Sequence, residues 1–337
     1  MKQILIDVPL CQAAMEQLQT TAGVHLVVAD PIAETPRVLP PDILRKTNVL
    51  FCSQPPTNFN DLTALEWIQL CSSGFEQLLG LGLPERNVRA TNAQGVFDVP
   101  IAEWCVAMMI NLARDLRGMI RNQERGIWDR GARFQREIRG LTVGFWGYGG
   151  LARQTARLCK TALGLKIHVL TRQGVKTRHN NYCVPGTGDP EGALPDTVFT
   201  MDKKKEFLSQ LDFLILSVPL TSTTRGMVGE SELKSLPATA FLLNPARGPL
   251  VQEQALLRAI EEGWIAGAAL DTHFQYPVPP EHPLWKFPNV LMTPHIAGSS
   301  LSPFFLPRIW DLFSQNAGRF LRGEPLLNEL TRGQLTS

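Results

Sequence analysis

The sequence predicts an α/β protein built on two helix-flanked parallel sheets, and three observations predict it. Short apolar runs alternate with segments of helical spacing along most of the chain. One of those runs breaks into a helix at a cluster of small residues, Gly147-Tyr-Gly-Gly-Leu-Ala152. A chain of 337 residues is also long enough for two domains, each with its own core.

The first domain is read from Ile4 to Val8, Val24 to Ala29, Val49 to Ser53, Trp67 to Cys71 and Val88 to Thr91, apolar runs separated by helical or turn segments such as Cys11 to Leu18. A long amphipathic helix then begins near Asp98, a candidate N-cap, with Pro100 in its first turn and apolar residues at 101, 104, 105, 108, 109 and 112. Its Met and Trp stripe reads as core or subunit interface. The polar stretch Arg114 to Arg139 leads into the second domain, so the boundary is expected near residue 100.

Six strands are expected in the second domain: Leu141 to Trp146, Lys166 to Leu170, Asp212 to Val218, Ala240 to Asn244, Ala266 to Asp271 and Val290 to Thr293. Six alternating units suit a doubly wound dinucleotide-binding sheet. The first strand is nearly all apolar, as a strand buried on both faces requires, and it ends in Gly-x-Gly-x-x-Ala. In that pattern Gly147 permits the tight turn, Gly149 lets a diphosphate approach a helix N-terminus, and Ala152 allows close helix–strand packing. The second strand ends at Thr171-Arg172, about 20 residues on, where such folds read the adenosine ribose. The Pro/Gly-rich stretch Val184 to Pro195 reads as a surface excursion. After His295 another amphipathic helix, Arg308 to Leu321, has nowhere to pack except on the first domain. The domains are thus 1–99 with 299–337, and 100–298.

Composition narrows the function. With 44% hydrophobic and 19% charged residues and a formal charge of +2, the chain reads as a soluble globular protein without the basic, aromatic-interleaved face that nucleic acid demands. Its six cysteines show no metal-ligand spacing, several lie in apolar runs, and no stretch reaches membrane length. A cytoplasmic protein that holds no metal is expected.

Ligands of open α/β sheets sit beyond the carboxyl ends of the strands, which singles out Ser217, Asn244 to Arg247, Asp271 and His295. A guanidinium at Arg247 would grip a carboxylate bidentately, and an imidazole at His295 would donate a proton near neutral pH. Asp271 would orient a nicotinamide ring or cap a loop.

With these residues in view, the chain resembles the D-isomer-specific 2-hydroxyacid dehydrogenases, which include glyoxylate/hydroxypyruvate reductases, phosphoglycerate dehydrogenases and formate dehydrogenases. The likeness runs through Ser73-Gly74, Val99-Pro-Ile-Ala-Glu103, the glycine turn, Val218-Pro-Leu-Thr221, Asn244-Pro-Ala-Arg-Gly248, Leu270-Asp271, His282-Pro-Leu-Trp285, Thr293-Pro-His295 and Arg322-Gly-Glu-Pro-Leu-Leu-Asn328. It implies a Rossmann domain and a smaller flavodoxin-like domain with a cleft between them, a homodimer built on the nucleotide domain and linker helix, and reduction of a 2-oxo acid by a nicotinamide cofactor. Carried over by position, Arg247 binds the substrate carboxylate and carbonyl, His295 protonates the carbonyl oxygen, and the Ser73 and Gly74 amides hold the carboxylate. Gly147, Gly149, Gly150, Leu151, Ala152, Thr171, Arg172, Val218, Pro219, Thr224, Pro245, Ala246, Asp271, His295 and Ala297 are implied along the cofactor.

Two places depart from the family. Where relatives carry a Glu against the catalytic histidine, this chain has Tyr276, a phenol that can hydrogen-bond the ring but brings no charge; Gln275 is the substitute if the loop is shifted by one. His295 should then be easier to deprotonate, and 2-oxo acid reduction should shift toward lower pH. Where NAD-specific members end the second strand with an acid, Thr171-Arg172 stands, with Lys176 and Arg178 nearby. That favours NADP(H), with NAD(H) possible. The expectation is an NADPH-preferring reductase of a small 2-oxo acid such as glyoxylate or hydroxypyruvate. The alternatives are an NAD-dependent dehydrogenase of a larger acid and a non-catalytic NAD(H)-sensing, corepressor-like regulator.

Overall fold

The computed structural model describes residues 1–30, 32 and 35–336, and the chain divides into two compact units. The first comprises 1–97, 179–184 and the residues from Ser300 onward; the second comprises 98–178 and 185–299.

In the first unit β1 (Lys2–Asp7), β2 (Val24–Val28), β3 (Thr47–Cys52), β4 (Trp67–Leu70) and β5 (Arg89–Thr91) form a parallel sheet in the order β2-β1-β3-β4-β5. This is the doubly wound order of flavodoxin-like folds. β3 and β4 are buried nearly throughout because they lie inside the sheet with both faces covered, which is why they read as continuous apolar runs. The helix Phe305–Leu321 packs on this sheet: Phe313 stacks on Phe51 at 4.1 Å between centroids, and Trp310 meets Phe51 edge-on at 5.4 Å. Beneath the aromatics, Trp67 Nε1 donates to Thr91 Oγ1, Thr91 donates to Gln69 Oε1, and Asn316 Nδ2 donates to the same oxygen. The buried polar groups thus satisfy one another, and the cost of drying them is offset.

In the second unit β6 (Thr142–Trp146), β7 (Lys166–Leu170), β8 (Thr197–Phe199), β9 (Phe213–Leu216), β10 (Phe241–Asn244), β11 (Gly267–Leu270) and β12 (Val290–Met292) form a parallel sheet ordered β12-β11-β10-β9-β6-β7-β8. Strand order reverses between β6 and β9, so the crevice beyond their carboxyl ends is where a ligand binds in such sheets. The linker helix runs Asp98–Ala113, with Asp98 as its first residue, and buries Ala102, Cys105 and Met109 against the sheet.

The structure corrects one sequence reading and refines another. The second sheet has seven strands, because Thr197–Phe199 adds β8 beside β7; three residues are too few to show a period. The Pro/Gly-rich stretch Val184 to Pro195 runs largely at the surface, as expected, but it is anchored at Gly188 and Asp189 and just before its start. Tyr182 is 5% exposed within the core of the first unit, where its hydroxyl donates to Asp311 Oδ2 at 2.9 Å and its N–H to Asn328 Oδ1 at 3.1 Å. Farther along, Gly188 and Asp189 are buried against the helix Gly150–Thr161 of the second unit.

Phe313 joins the stacks on both Phe51 and Trp67 with no exposed surface, so Phe313→Ala leaves a cavity under three rings. The expected loss is about 3–5 kcal/mol in urea unfolding of the first unit. A change below about 1 kcal/mol would show that this stack is not central to that core.

Candidate active site

β6 stops at Gly147, whose φ of +91° few side chains tolerate. A Cβ there would also stand 2.7 Å from Val218 Cγ1 and 2.9 Å from the Ser217 carbonyl oxygen. Glycine therefore lets the turn after β6 close against the end of β9, at the point where strand order reverses. Gly149 is the N-cap of the helix Gly150–Thr161, and Ala152 is fully buried in its first turn, with Leu151 partly buried beside it. Across the crevice, Val218 and Pro219 lead into a turn closed by Thr224, whose hydroxyl accepts from Thr221 N–H and donates to the Pro219 carbonyl.

At the end of β7 the two neighbours differ. The Thr171 hydroxyl is buried and meets no hydrogen-bond partner among the described residues, whereas Arg172 is exposed. The arginine is the side chain presented at this strand end.

At the end of β10, Asn244 is buried, and its side chain sets the next turn by accepting from Ala246 N–H at 3.2 Å and donating to the Arg247 carbonyl at 2.8 Å. Pro245 and Ala246 form that turn, and Arg247 is half-buried beyond it. Gly248 follows because a Cβ there would lie 2.2 Å from the His273 carbonyl oxygen. Close backbone approach thus brings the loop after β10 against the loop after β11.

The β11 loop carries Asp271, which is 1% exposed. Its Oδ1 accepts from Thr293 Oγ1 at 2.6 Å and Ile296 N–H at 2.9 Å, and its Oδ2 accepts from Ala297 N–H at 3.0 Å. Of the two roles expected for it, the structure gives this carboxylate the capping of the 293–297 loop. That loop holds His295 at a left-handed φ of +57°, a conformation that costs a non-glycine residue about 1 kcal/mol and needs such support. Trp104 of the linker helix adds a donor to Thr293 Oγ1 at 3.0 Å.

Tyr276 stacks obliquely on His295, ring centroids 5.6 Å apart, but its hydroxyl accepts from the His273 N–H at 3.0 Å rather than meeting the His295 ring. The expected phenol–imidazole hydrogen bond is replaced by ring contact. Among the described residues no carboxylate hydrogen-bonds the His295 ring, and Gln275 is exposed without a contact to it. Desolvation pulls the His295 pKa below the ordinary histidine value; the Asp271 charge opposes it, and Arg247 and His273 push further down. Arg247 and His295, 48 positions apart in the chain, therefore act on one another electrostatically.

His273 was not singled out in the sequence. It is 4% exposed, its Nε2 donates to the Thr293 carbonyl at 2.8 Å, and it packs on Tyr276. Its place two residues after a strand-end aspartate was the available signal.

Ser73 and Gly74 lie in the first unit, in the loop after β4. Asn92 Nδ2 donates to the Ser73 carbonyl at 2.8 Å and Ser72 Oγ to that of Gly74 at 2.8 Å. Among the described residues no acceptor meets either N–H.

Known proteins resemble this chain over much of its length. Residues 106–297 match the family described as D-isomer specific 2-hydroxyacid dehydrogenase, NAD binding domain. A glyoxylate reductase of Thermofilum pendens is 33% identical over 264 residues, covering 77% of this chain and 73% of that protein. Among solved structures, a D-isomer specific 2-hydroxyacid dehydrogenase family protein of Aeromonas salmonicida superposes with a TM-score of 0.78 at 22% identity, covering 98% of this chain and 99% of that one. An NADPH-dependent glyoxylate/hydroxypyruvate reductase of Sinorhizobium meliloti, crystallised with citrate, gives 0.73 at 23% identity with both chains covered in full, 100% each. The chain belongs to the D-isomer specific 2-hydroxyacid dehydrogenase family and is an NAD(P)-dependent enzyme of that kind.

Proposed function

We propose that the enzyme is an NADPH-preferring reductase that converts a small 2-oxo acid, glyoxylate or hydroxypyruvate in kind, into the D-2-hydroxy acid. The observation that carries this reading is that Arg247 and His295, on the loops after β10 and β12, are near enough to act on one another electrostatically, the His295 loop being held by Asp271 and its imidazole depressed in pKa by its surroundings. When bound, the dinucleotide supplies the hydride. Gly147, Gly149, Gly150, Leu151 and Ala152 form the turn that holds its diphosphate, with Val218, Pro219, Thr224, Pro245 and Ala246 along its length.

Arg247 grips the substrate carboxylate and orients the carbonyl through its planar fork. His295 gives its proton to the carbonyl oxygen, and Tyr276 limits the tilt of its ring. The Ser73 and Gly74 N–H groups are carboxylate donors of the first unit. Asp271 and Ala297 act by holding the histidine loop, since the carboxylate and the Ala297 N–H already bond each other.

Cofactor preference rests on the end of β7. Arg172 is exposed there, and no acid occupies Thr171 or Arg172 to repel a 2′-phosphate. The dependence on NADPH named for the Sinorhizobium reductase supports the same reading.

Turnover of a panel of 2-oxo acids with NADPH and NADH, from about pH 5 to about pH 9, tests this proposal. Reduction of glyoxylate or hydroxypyruvate with NADPH ahead of NADH is expected, and Arg247→Ala should lower kcat/KM by about a hundredfold or more. The proton donor is the charged imidazole, and its pKa is lowered. The rate should therefore fall as pH rises through a value below about 6.5, the usual histidine figure. A clear NADH preference would refute the cofactor reading, and a rate undiminished well above neutral would refute His295 as the donor.

A homodimer belongs to the same reading. The helix Leu116–Glu124 buries none of its residues, Ile120 and Ile127 are half-exposed, and Trp128 is 91% exposed. An apolar series of this kind on a soluble enzyme marks an association surface. Sedimentation should show a dimer for the wild type and a monomer for Ile120→Asp/Trp128→Asp. A monomeric wild type, or a double variant that remains dimeric, would exclude this surface.

A further inference from the structure

The loop leaving β7 returns to the glycine turn through buried contacts that the reduction itself does not use. Arg153, 4% exposed in the first turn of the helix Gly150–Thr161, donates from Nε to the Tyr148 carbonyl at 3.1 Å and from its guanidinium to the carbonyls of Lys176 and Asp189. Tyr148, within the glycine turn, donates its hydroxyl to Asp189 Oδ2 at 2.8 Å. That carboxylate also accepts from the Ala193 and Leu194 N–H groups, and Gln154 Oε1 accepts from Gly188 N–H at 2.6 Å. Burial first, and the Asp189 charge as well, hold the Tyr148 phenol far above its usual range, so it stays a donor. Each of these groups would be costly to bury alone. Together they fix the loop to the helix that begins at the glycine turn.

What this support presents is Arg178. Its N–H donates to the Pro190 carbonyl at 2.9 Å, and its Nη1 lies 3.3 Å from where a Cβ on Gly149 would stand. Gly149 is the glycine at which a dinucleotide's diphosphate approaches the helix N-terminus. The neighbouring step is occupied differently, by the Asp98 carboxylate against Gly150. Arg153 feels Arg178 as well: after burial, the Arg178 charge is the next influence lowering the Arg153 pKa.

We propose that Arg178, carried to the second glycine of the turn by the loop latched through Tyr148, Arg153 and Asp189, binds the diphosphate of the nicotinamide cofactor. The proposal rests on the dinucleotide site of the proposed reductase but not on its NADPH preference, because both cofactors carry the diphosphate and only one carries the 2′-phosphate assigned to Arg172.

The test is the Kd of NADH and of NADPH, read from nicotinamide fluorescence, for wild type, Arg178→Met, Arg178→Lys and Arg172→Ala, with thermal unfolding of each. Arg178→Met should weaken both cofactors by the same factor, about tenfold or more, with the unfolding midpoint unchanged and Arg178→Lys in between. Arg172→Ala should weaken NADPH alone. Wild-type affinity in Arg178→Met overturns the proposal, and so does a loss confined to NADPH, which would place Arg178 at the 2′-phosphate. If Arg172→Ala leaves NADPH binding intact while Arg178→Met weakens both, the preference reading fails and the diphosphate assignment stands. If the wild type binds neither dinucleotide, both fail.

Discussion

The chemistry of the second unit depends on one buried carboxylate. Asp271 is 1% exposed, a placement that an isolated charge would tolerate only at a cost of several kcal/mol. It is tolerated because three donors, Thr293 Oγ1 and the N–H groups of Ile296 and Ala297, converge on it. Those bonds bend the chain after β12 into the left-handed step at His295. Trp104 reaches the same Thr293 oxygen from the linker helix, so the position of the histidine is set by three elements distant in sequence.

Among the described residues no carboxylate hydrogen-bonds the ring of a histidine held this way, where the family resemblance implies a Glu in place of Tyr276. The Asp271 charge still acts on the ring from behind the loop and raises the pKa, but desolvation, Arg247 and His273 act the other way and prevail. Tyr276 cannot restore the balance, because its hydroxyl is engaged by the His273 N–H. As the proton donor of the proposed reaction, His295 would be a stronger acid than a carboxylate-backed imidazole. That suits delivery of a proton to a carbonyl oxygen under mildly acidic conditions and makes its removal from a hydroxy acid at low pH less favourable. Arg247 is a charge that keeps the imidazole acidic, beside the part of carboxylate anchor proposed for it.

Much of this was legible in the sequence, for identifiable reasons. Strands such as β3, β6 and β9 are buried on both faces, and a buried strand has to be apolar along its length. Arg247 and His295 were singled out because strand ends are where open sheets bind ligands, and the structure places both on such loops. Other features depend on partners that a linear pattern does not record. β8 exists because β7 offers an edge to pair with, and its own three residues carry no period. Whether the Tyr276 hydroxyl would turn to the imidazole or to a backbone amide depended on the path of the chain at His273. Asn328 closed the recognisable C-terminal motif, yet its role appears only when Tyr182 lies beside it: its oxygen accepts from the Tyr182 N–H and its nitrogen donates to the Gln94 carbonyl.

The basic residues after β7 show why composition alone was too coarse for the cofactor. Read as a set, Arg172, Lys176 and Arg178 argue for a phosphorylated ribose. In three dimensions they have different surroundings: Lys176 Nζ donates to Gln173 Oε1 at 3.3 Å, Arg178 stands at Gly149, and Arg172 is exposed at the strand end. Charge at the glycine turn strengthens binding of either dinucleotide and so changes affinity without changing preference. Preference requires a group that meets what only one cofactor has, the part proposed for the exposed Arg172. On the proposed reading the loop between β7 and β8 divides the two properties between different arginines, and the Tyr148–Asp189 and Arg153 contacts hold the loop that carries the second of them beside Gly149.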